Sequence, residues 1–352
     1  MASHSCKLHE SAIRSRRAFL VASFSALLDV ANSAATPSTR TAAPQRLIDV
    51  HHHLFPPSYM KANAAIVAAR SRGYTQVLGW TPEESIADMD AGGTSVAVLS
   101  MTAPVWITNA REAIALARDA NDYAATLIQR FPGRFAAFVT LPLPSIDGSL
   151  AEITRGLDQL HFRGVALLSN YNGAYLGESQ FAPILSELNR RRAVAYVHPT
   201  VASCCQNLVR DLSPAFLELP FDTTRTIASL LYSGALPSHR QIRWIFSHGG
   251  GTLPFLADRL SQWVLARKDL ARRLPDGPMA ELQRLRFDTA SVTNARALAA
   301  LGKFVPWTQV LFGTDFPYVR TSPQRAELMS NLSSLRDLEA VEWRNAAQLL
   351  EL

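Results

Sequence analysis

From Leu47 onward the chain alternates between short runs rich in β-branched and other apolar residues and longer stretches whose apolar positions recur every three to four residues. The short runs are LIDVHHH from Leu47, SVAVLSM from Ser95, FAAFVTLP from Phe135, GVALLSN from Gly164, AVAYVHPT from Ala193, IRWIFSHGG from Ile242, LRFDTAS from Leu285 and VLFGTDFP from Val310. Helical patterns lie between them: REAIALARDANDYAATLIQRF from Arg111, SQFAPILSELNRRR from Ser179, and DTTRTIASLLYSG from Asp222, the last stopped by Gly234. Strand alternating with helix predicts a parallel α/β sheet. Eight such units in 352 residues favour a (β/α)8 TIM barrel over an open doubly wound sheet. No glycine-rich dinucleotide fingerprint follows the first strand.

Composition agrees with a globular core and changes little else. The chain is 48% hydrophobic and 18% charged, which argues against disordered and fibrous classes. A net charge of +6 and a pI near 9.5 raise the question of nucleic acid as a partner. The densest basic run outside the N-terminal segment is Arg190-Arg191-Arg192, which sits where it complements the negative end of a helix dipole, so no nucleic acid is expected. The one uncharged run long enough to span a bilayer, Ala91 to Ala110, is broken by Gly, Ser, Thr, Pro and Asn and reads as a strand with its loop.

The N-terminus reads as a leader. SRRAFLVASFSALL places Arg16-Arg17 before a short apolar run, and small residues near Ala34 and Ala35 offer a cleavage site. Ser-Arg-Arg-x-Phe-Leu resembles the bacterial twin-arginine export signal at every fixed position but the last. The expected organisation is a signal peptide over 1–35, a Pro/Thr/Ala-rich linker over 36–45 and a barrel domain over 46–352, with export to the bacterial periplasm. Export would leave Cys204 and Cys205 as the only cysteines. They read as plain thiols, with a vicinal disulfide as the alternative in an oxidising compartment.

In RLIDVHHHLFPP, alternation sends His51 and His53 to one face and His52 to the other, while Pro56 and Pro57 end the strand. A barrel gathers reactive groups at the carboxyl ends of its strands. His51 and His53 on the first, His198 on the fifth, His248 on the sixth and Asp315 on the eighth all fall there, whereas His52, His161 and His239 do not. His-x-His with a third imidazole and a carboxylate is a metal-binding constellation. The glycines of SHGGG permit tight turns and close packing behind His248, and they lack the lysine and hydroxyl residue of a P-loop.

DVHHHLFP, VHPT, SHGGGTLPFLADR and GTDFPY, in this order from about Arg46 to the C-terminus, resemble the amidohydrolase superfamily and its amidohydrolase-related branch of metal-dependent decarboxylases. WTPEESIADMD, FPGRFAAFVTLPLP, ELNRRRAVAYVHPT and DTTRTIASLLYSG look most like the 6-methylsalicylate decarboxylases, with the aminocarboxymuconate-semialdehyde and resorcylate decarboxylases as more distant relatives. Binuclear amidohydrolases carry a bridging lysine at the end of strand four, where GVALLSNYNG has none, so one metal is expected. The resemblance implies that His51, His53, His198 and Asp315 hold it and that His248 sits beside the water or substrate. These ligands suit Zn2+, with Mn2+ the main rival because oxygen-bearing substrates add harder ligands.

The activity so implied is decarboxylation of a small aromatic, hydroxybenzoate-like or related unsaturated acid, with CO2 release. Asp315 is the candidate proton donor to the ring and His248 the relay. Arg259 matches an arginine that in relatives reaches the substrate carboxylate of a neighbouring subunit, which implies a homodimer; the other reading is a helix-surface arginine. Trp80 is a candidate aromatic wall over the substrate. Two other readings stand beside this one. The same ligands suit a hydrolase of an amide, ester or lactone, since a metal lowers the pKa of bound water to about 7. A non-catalytic binding barrel is the third, and the filled ligand positions argue against it.

Overall fold

The computed structural model describes residues 46–70, 75–101, 109–206 and 208–352. The expected signal peptide and linker lie outside the described residues. Eight parallel strands follow in chain order: β1 Leu47–His53, β2 Thr94–Ser100, β3 Phe135–Ala137 continued by Val139–Thr140, β4 Val165–Leu168, β5 Val194–His198, β6 Arg243–Phe246, β7 Arg286–Asp288 and β8 Val310–Leu311. Each pairs with the next in register, as in Ala97↔Phe135, Leu168↔His198 and Phe287↔Val310. The sheet closes where Val50 N–H donates to Phe312 O at 3.0 Å and His53 N–H to Phe316 O at 2.9 Å. The architecture is the TIM barrel that the alternating pattern predicts.

Period-two alternation sorts the strand residues into two cores. Ile48, Val98, Phe138, Tyr196, Ile245 and Leu311 fill the barrel, and Ala346, Leu349 and Leu350 of the last helix, Asn345–Leu350, join them from its base. Leu47, Leu99, Val165, Val197 and Phe246 pack outward under the helices. The helix read from Asp222 starts earlier, at Glu218, because Pro220 is tolerated in a first helical turn; it ends as expected at Gly234 with φ 79°. Among the described residues no helix is long and apolar enough to cross a membrane.

Two local departures shape the upper rim. Strict alternation would put His51 on the face opposite Val50, yet the β1–β2 register shifts between Asp49 and His52. That irregularity lets Ile48 and Val50 fill the barrel while His51 and His53 also turn inward. After β6, Gly250 and Gly251 adopt φ of 78° and 67°; a Cβ on Gly251 would lie 2.0 Å from Pro220 O, and one on Gly250 2.6 Å from the Phe287 ring. The glycines therefore serve close packing behind His248. In the loop after β5, Cys204 and Cys205, expected as thiols, are paired as a vicinal disulfide.

Candidate metal centre

The side chains from β1, β5, the β6 end and the β8 end meet at the carboxyl rim. One ligand atom from each of His51, His53, His198 and Asp315 lies within 4.8 Å of the others. His51 Nε2 and His53 Nε2 converge on Asp315 Oδ1 at 3.0 and 2.6 Å. The His51 approach lacks hydrogen-bond alignment, so its Nε2 is buried without a hydrogen bond. A buried imidazole nitrogen left unsatisfied among two further imidazoles and a carboxylate fits a divalent cation as the missing partner. His198 Nδ1–H donates to Pro199 O at 2.9 Å, which turns the Nε2 lone pair toward the cluster.

The supporting shell explains why these groups are held without the usual cost of buried charge. His51 Nδ1–H donates to Asp288 Oδ2 at 2.9 Å. Asp288 also accepts from Tyr196 OH at 3.1 Å, His248 N–H at 2.8 Å and Ala290 N–H at 3.0 Å. The chain just beyond β8 comes so close that a Cβ on Gly313 would meet His51 Cβ at 2.8 Å and Asp288 Cβ at 3.0 Å. Asp49 clasps the outer side: it accepts from His51 N–H at 3.0 Å, Thr314 N–H at 3.0 Å and Thr314 OH at 2.6 Å. His52 turns away as alternation predicts, donating from Nδ1 to Asp49 at 3.0 Å and stacking on Phe316 at 4.6 Å.

Electrostatics sort the cluster by charge. Burial pulls His51 down, but Asp288 and Asp315 outweigh it and raise its pKa to about 10. Burial, with the neighbouring imidazoles, holds His198 well below the ordinary histidine value, and burial also lowers His53 and His248. Asp315 is pushed up by burial and more strongly down by His51 and His53, which leaves it well below the usual carboxylate range. Neutral imidazoles and an ionised carboxylate are the states that ligate a metal: the shifts of His53, His198 and Asp315 favour them, and His51 must give up its proton to join. His248 and Asp315 both carry positive φ, 53° and 71°, a conformation uncommon for residues with a Cβ and concentrated at functional sites.

His248 joins the cluster, its ring 4.9 Å from that of His51 and 5.7 Å from that of His198, with Nδ1–H on Ala290 O at 3.2 Å. Trp80 is buried one layer back: it packs on Phe55 at 5.9 Å and donates to Ser85 Oγ at 3.0 Å, and Phe55 is 6.1 Å from His53. Tyr318, 5.2 Å from His53, is nearer. Arg259 is exposed on the helix Leu253–Leu265, with no hydrogen bond or ion pair among the described residues. Sequence reasoning missed Asp288, Tyr196 and Tyr318. An aspartate ending the apolar start of LRFDTAS was the available signal for the first.

The chain matches the family described as Amidohydrolase over residues 48–352. It belongs to that family. Among curated members it is 36% identical to decarboxylase macB of Penicillium terrestre, over 77% of this chain and 84% of that protein. It is 37% identical to the 6-methylsalicylic acid decarboxylase acuB of Aspergillus aculeatus, with the same shares covered. A solved structure, 5-carboxyvanillate decarboxylase of Novosphingobium aromaticivorans complexed with manganese and 4-hydroxy-3-methoxy-5-nitrobenzoic acid, superposes with a TM-score of 0.75 at 22% identity, covering 87% of this chain and 96% of that one.

Proposed function

We propose that this amidohydrolase-family chain is a metal-dependent, non-oxidative decarboxylase of a small aromatic hydroxy acid, with 6-methylsalicylate as the first substrate to test. The observation that carries the reading is the buried three-histidine, one-aspartate cluster with His248 beside it, in a chain whose curated relatives are decarboxylases. A bound divalent ion would neutralise the phenolate and carboxylate oxygens and fix the ring. The cluster itself suits either Zn2+ or Mn2+; the manganese bound by the 5-carboxyvanillate enzyme supports Mn2+.

The residues of the chain then handle one proton. The bond between ring carbon and carboxylate breaks, CO2 leaves, and the electron pair retained on the ring carbon takes up H+. Asp315 delivers it. Because His51 and His53 hold Asp315 ionised, that proton must be acquired during the cycle, and His248, neutral and coupled to Asp315, is the relay. Phe55, backed by Trp80, and Tyr318 supply aromatic walls next to His53.

Arg259 acts across a dimer interface in this reading. Support comes from its own helix face, where Phe255 and Trp263, four residues to either side, are 87% and 53% exposed. We also propose export through the twin-arginine route, on the strength of Arg16-Arg17 and the apolar run behind them. The central test is CO2 release from a panel of hydroxybenzoates by metal-loaded protein. Turnover of amides or lactones without CO2 release from any aromatic acid would replace the decarboxylase with a hydrolase.

A further inference from the structure

At the base of the barrel, opposite the metal centre, a cavity of about 920 Å3 opens among Arg191 and Arg192 before β5, the first residues of β6 and β7, the Thr308–Gln309 turn before β8, and Glu351 beyond the last helix. Six arginines line it. Three are matched by carboxylates: Arg191 by Asp158 and Glu187 at 2.6 and 2.5 Å, Arg240 by Asp276 and Glu281 at 2.6 and 2.5 Å, and Arg284 by Asp276 at 3.0 Å. The other three are not. Among the described residues Arg243 donates only to carbonyls, Arg192 O at 2.9 Å and Leu349 O at 3.0 Å. The Arg192 and Arg286 side chains have no hydrogen bond or ion pair among the described residues.

Their placement makes the surplus costly. Arg243 shares a strand face with Ile245, which lies inside the barrel, and Arg286 shares one with Asp288, which faces His51. Two guanidinium groups therefore look into one end of the barrel. Burial first, and then repulsion from Arg243, weakens the hold of Arg286 on its proton. Attraction to helix C-termini accounts for Arg190 to Arg192, at and just beyond the end of the helix Ala182–Arg190, and leaves Arg243 and Arg286 within strands unexplained. Glu351 is the one lining carboxylate without an ion pair among the described residues, too little to balance three cations.

We propose that this basal cavity binds a tetrahedral oxyanion of the phosphate class, either free or as the phosphate group of a small organic ester. The groups left over are donors, and guanidinium forks match phosphate oxygens through paired hydrogen bonds. The volume is in the range of small-molecule sites, which leaves room for an ester's organic part.

The test titrates metal-loaded protein with inorganic phosphate and with phenyl phosphate, against chloride at matched ionic strength, and reads calorimetric affinity and thermal unfolding. Wild type is compared with Arg286→Gln and with the exposed Arg192→Gln, all at equal metal content, so that oxyanion binding at the metal centre cancels. The expected result is a saturable event in wild type, weakened about tenfold or more in Arg286→Gln and measurably in Arg192→Gln. Tighter binding of phenyl phosphate identifies an ester as the ligand, and tighter binding of phosphate the free ion. Equal affinities in all three proteins, or the same thermal shift with chloride, would overturn the site. Should Arg286→Gln fail to fold, unchanged affinity in Arg192→Gln overturns it alone.

Discussion

Asp288 and His51 are joined by a 2.9 Å hydrogen bond that fastens the seventh strand to the first directly under the metal ligands. The bond fixes the His51 tautomer and presents Nε2 to the cluster. Asp288→Asn keeps the volume and loses the charge, so metal affinity should fall about 10–100-fold. Competition with a chromophoric chelator measures it, and an unchanged dissociation constant would show that His51 needs no anionic partner.

Metal uptake should depend on pH in a direction set by His51. Without a cation, His51 keeps its proton up to a pKa of about 10, because Asp288 and Asp315 outweigh burial, whereas His53 and His198 are already neutral. An incoming divalent ion must displace that proton. Between pH 6 and 9 affinity should therefore rise with pH, by about tenfold per unit for the one proton released. Calorimetry in buffers of different ionisation enthalpy counts the protons, and a count of zero would contradict the charge assignment.

His52 separates fold from site. Its hydrogen bond to Asp49 and its stack on Phe316 lie on the side away from the cluster. His52→Ala should lower stability by about 2–4 kcal/mol while metal content holds at one ion per chain. Loss of metal equal to that of His53→Ala would mean that β1 is phased differently.

Arg259→Ala should raise the apparent KM for carboxylated substrates, with a loss of about 1.5–3 kcal/mol in kcat/KM and no loss of metal. Arg259→Lys should recover part, since an ammonium lacks the planar fork. Mixing Arg259→Ala with His198→Ala subunits should restore activity if the arginine serves the neighbouring barrel. Failure to recover, with subunit exchange verified, assigns Arg259 to its own surface.

Export is checked by replacing Arg16-Arg17 with a lysine pair, which should retain the protein in the cytoplasm. Undiminished periplasmic delivery would discard the twin-arginine route.

The barrel was legible because each strand-helix unit writes its own local periodicity, and the five rim residues His51, His53, His198, His248 and Asp315 were legible because a rim position is fixed by where a strand stops; which four of them form the ligand set came from the family resemblance. What stayed hidden depends on contacts between strands. Asp288 sits on β7 like any strand-end aspartate, and only the closed barrel brings it to His51, Tyr196 and His248. The shift between Asp49 and His52 is likewise set by pairing with β2 and leaves no local signal. Arg259 is the reverse case: its motif was conspicuous, yet it is exposed on its helix and makes no hydrogen bond or ion pair with the cluster.

His53 and Asp315, 2.6 Å apart, are separated by 262 residues of chain. Joining such distant positions carries a large closure entropy, met only when the intervening strands are already in order. The ligand set therefore does not exist in a nascent or half-folded chain, and the ion cannot template the barrel as zinc templates a finger. A bound ion would enter last, into a finished cage. Metal content then becomes a readout of completed folding: a chain cut before Asp315 should take up no ion at this centre, whatever the state of its first seven strands.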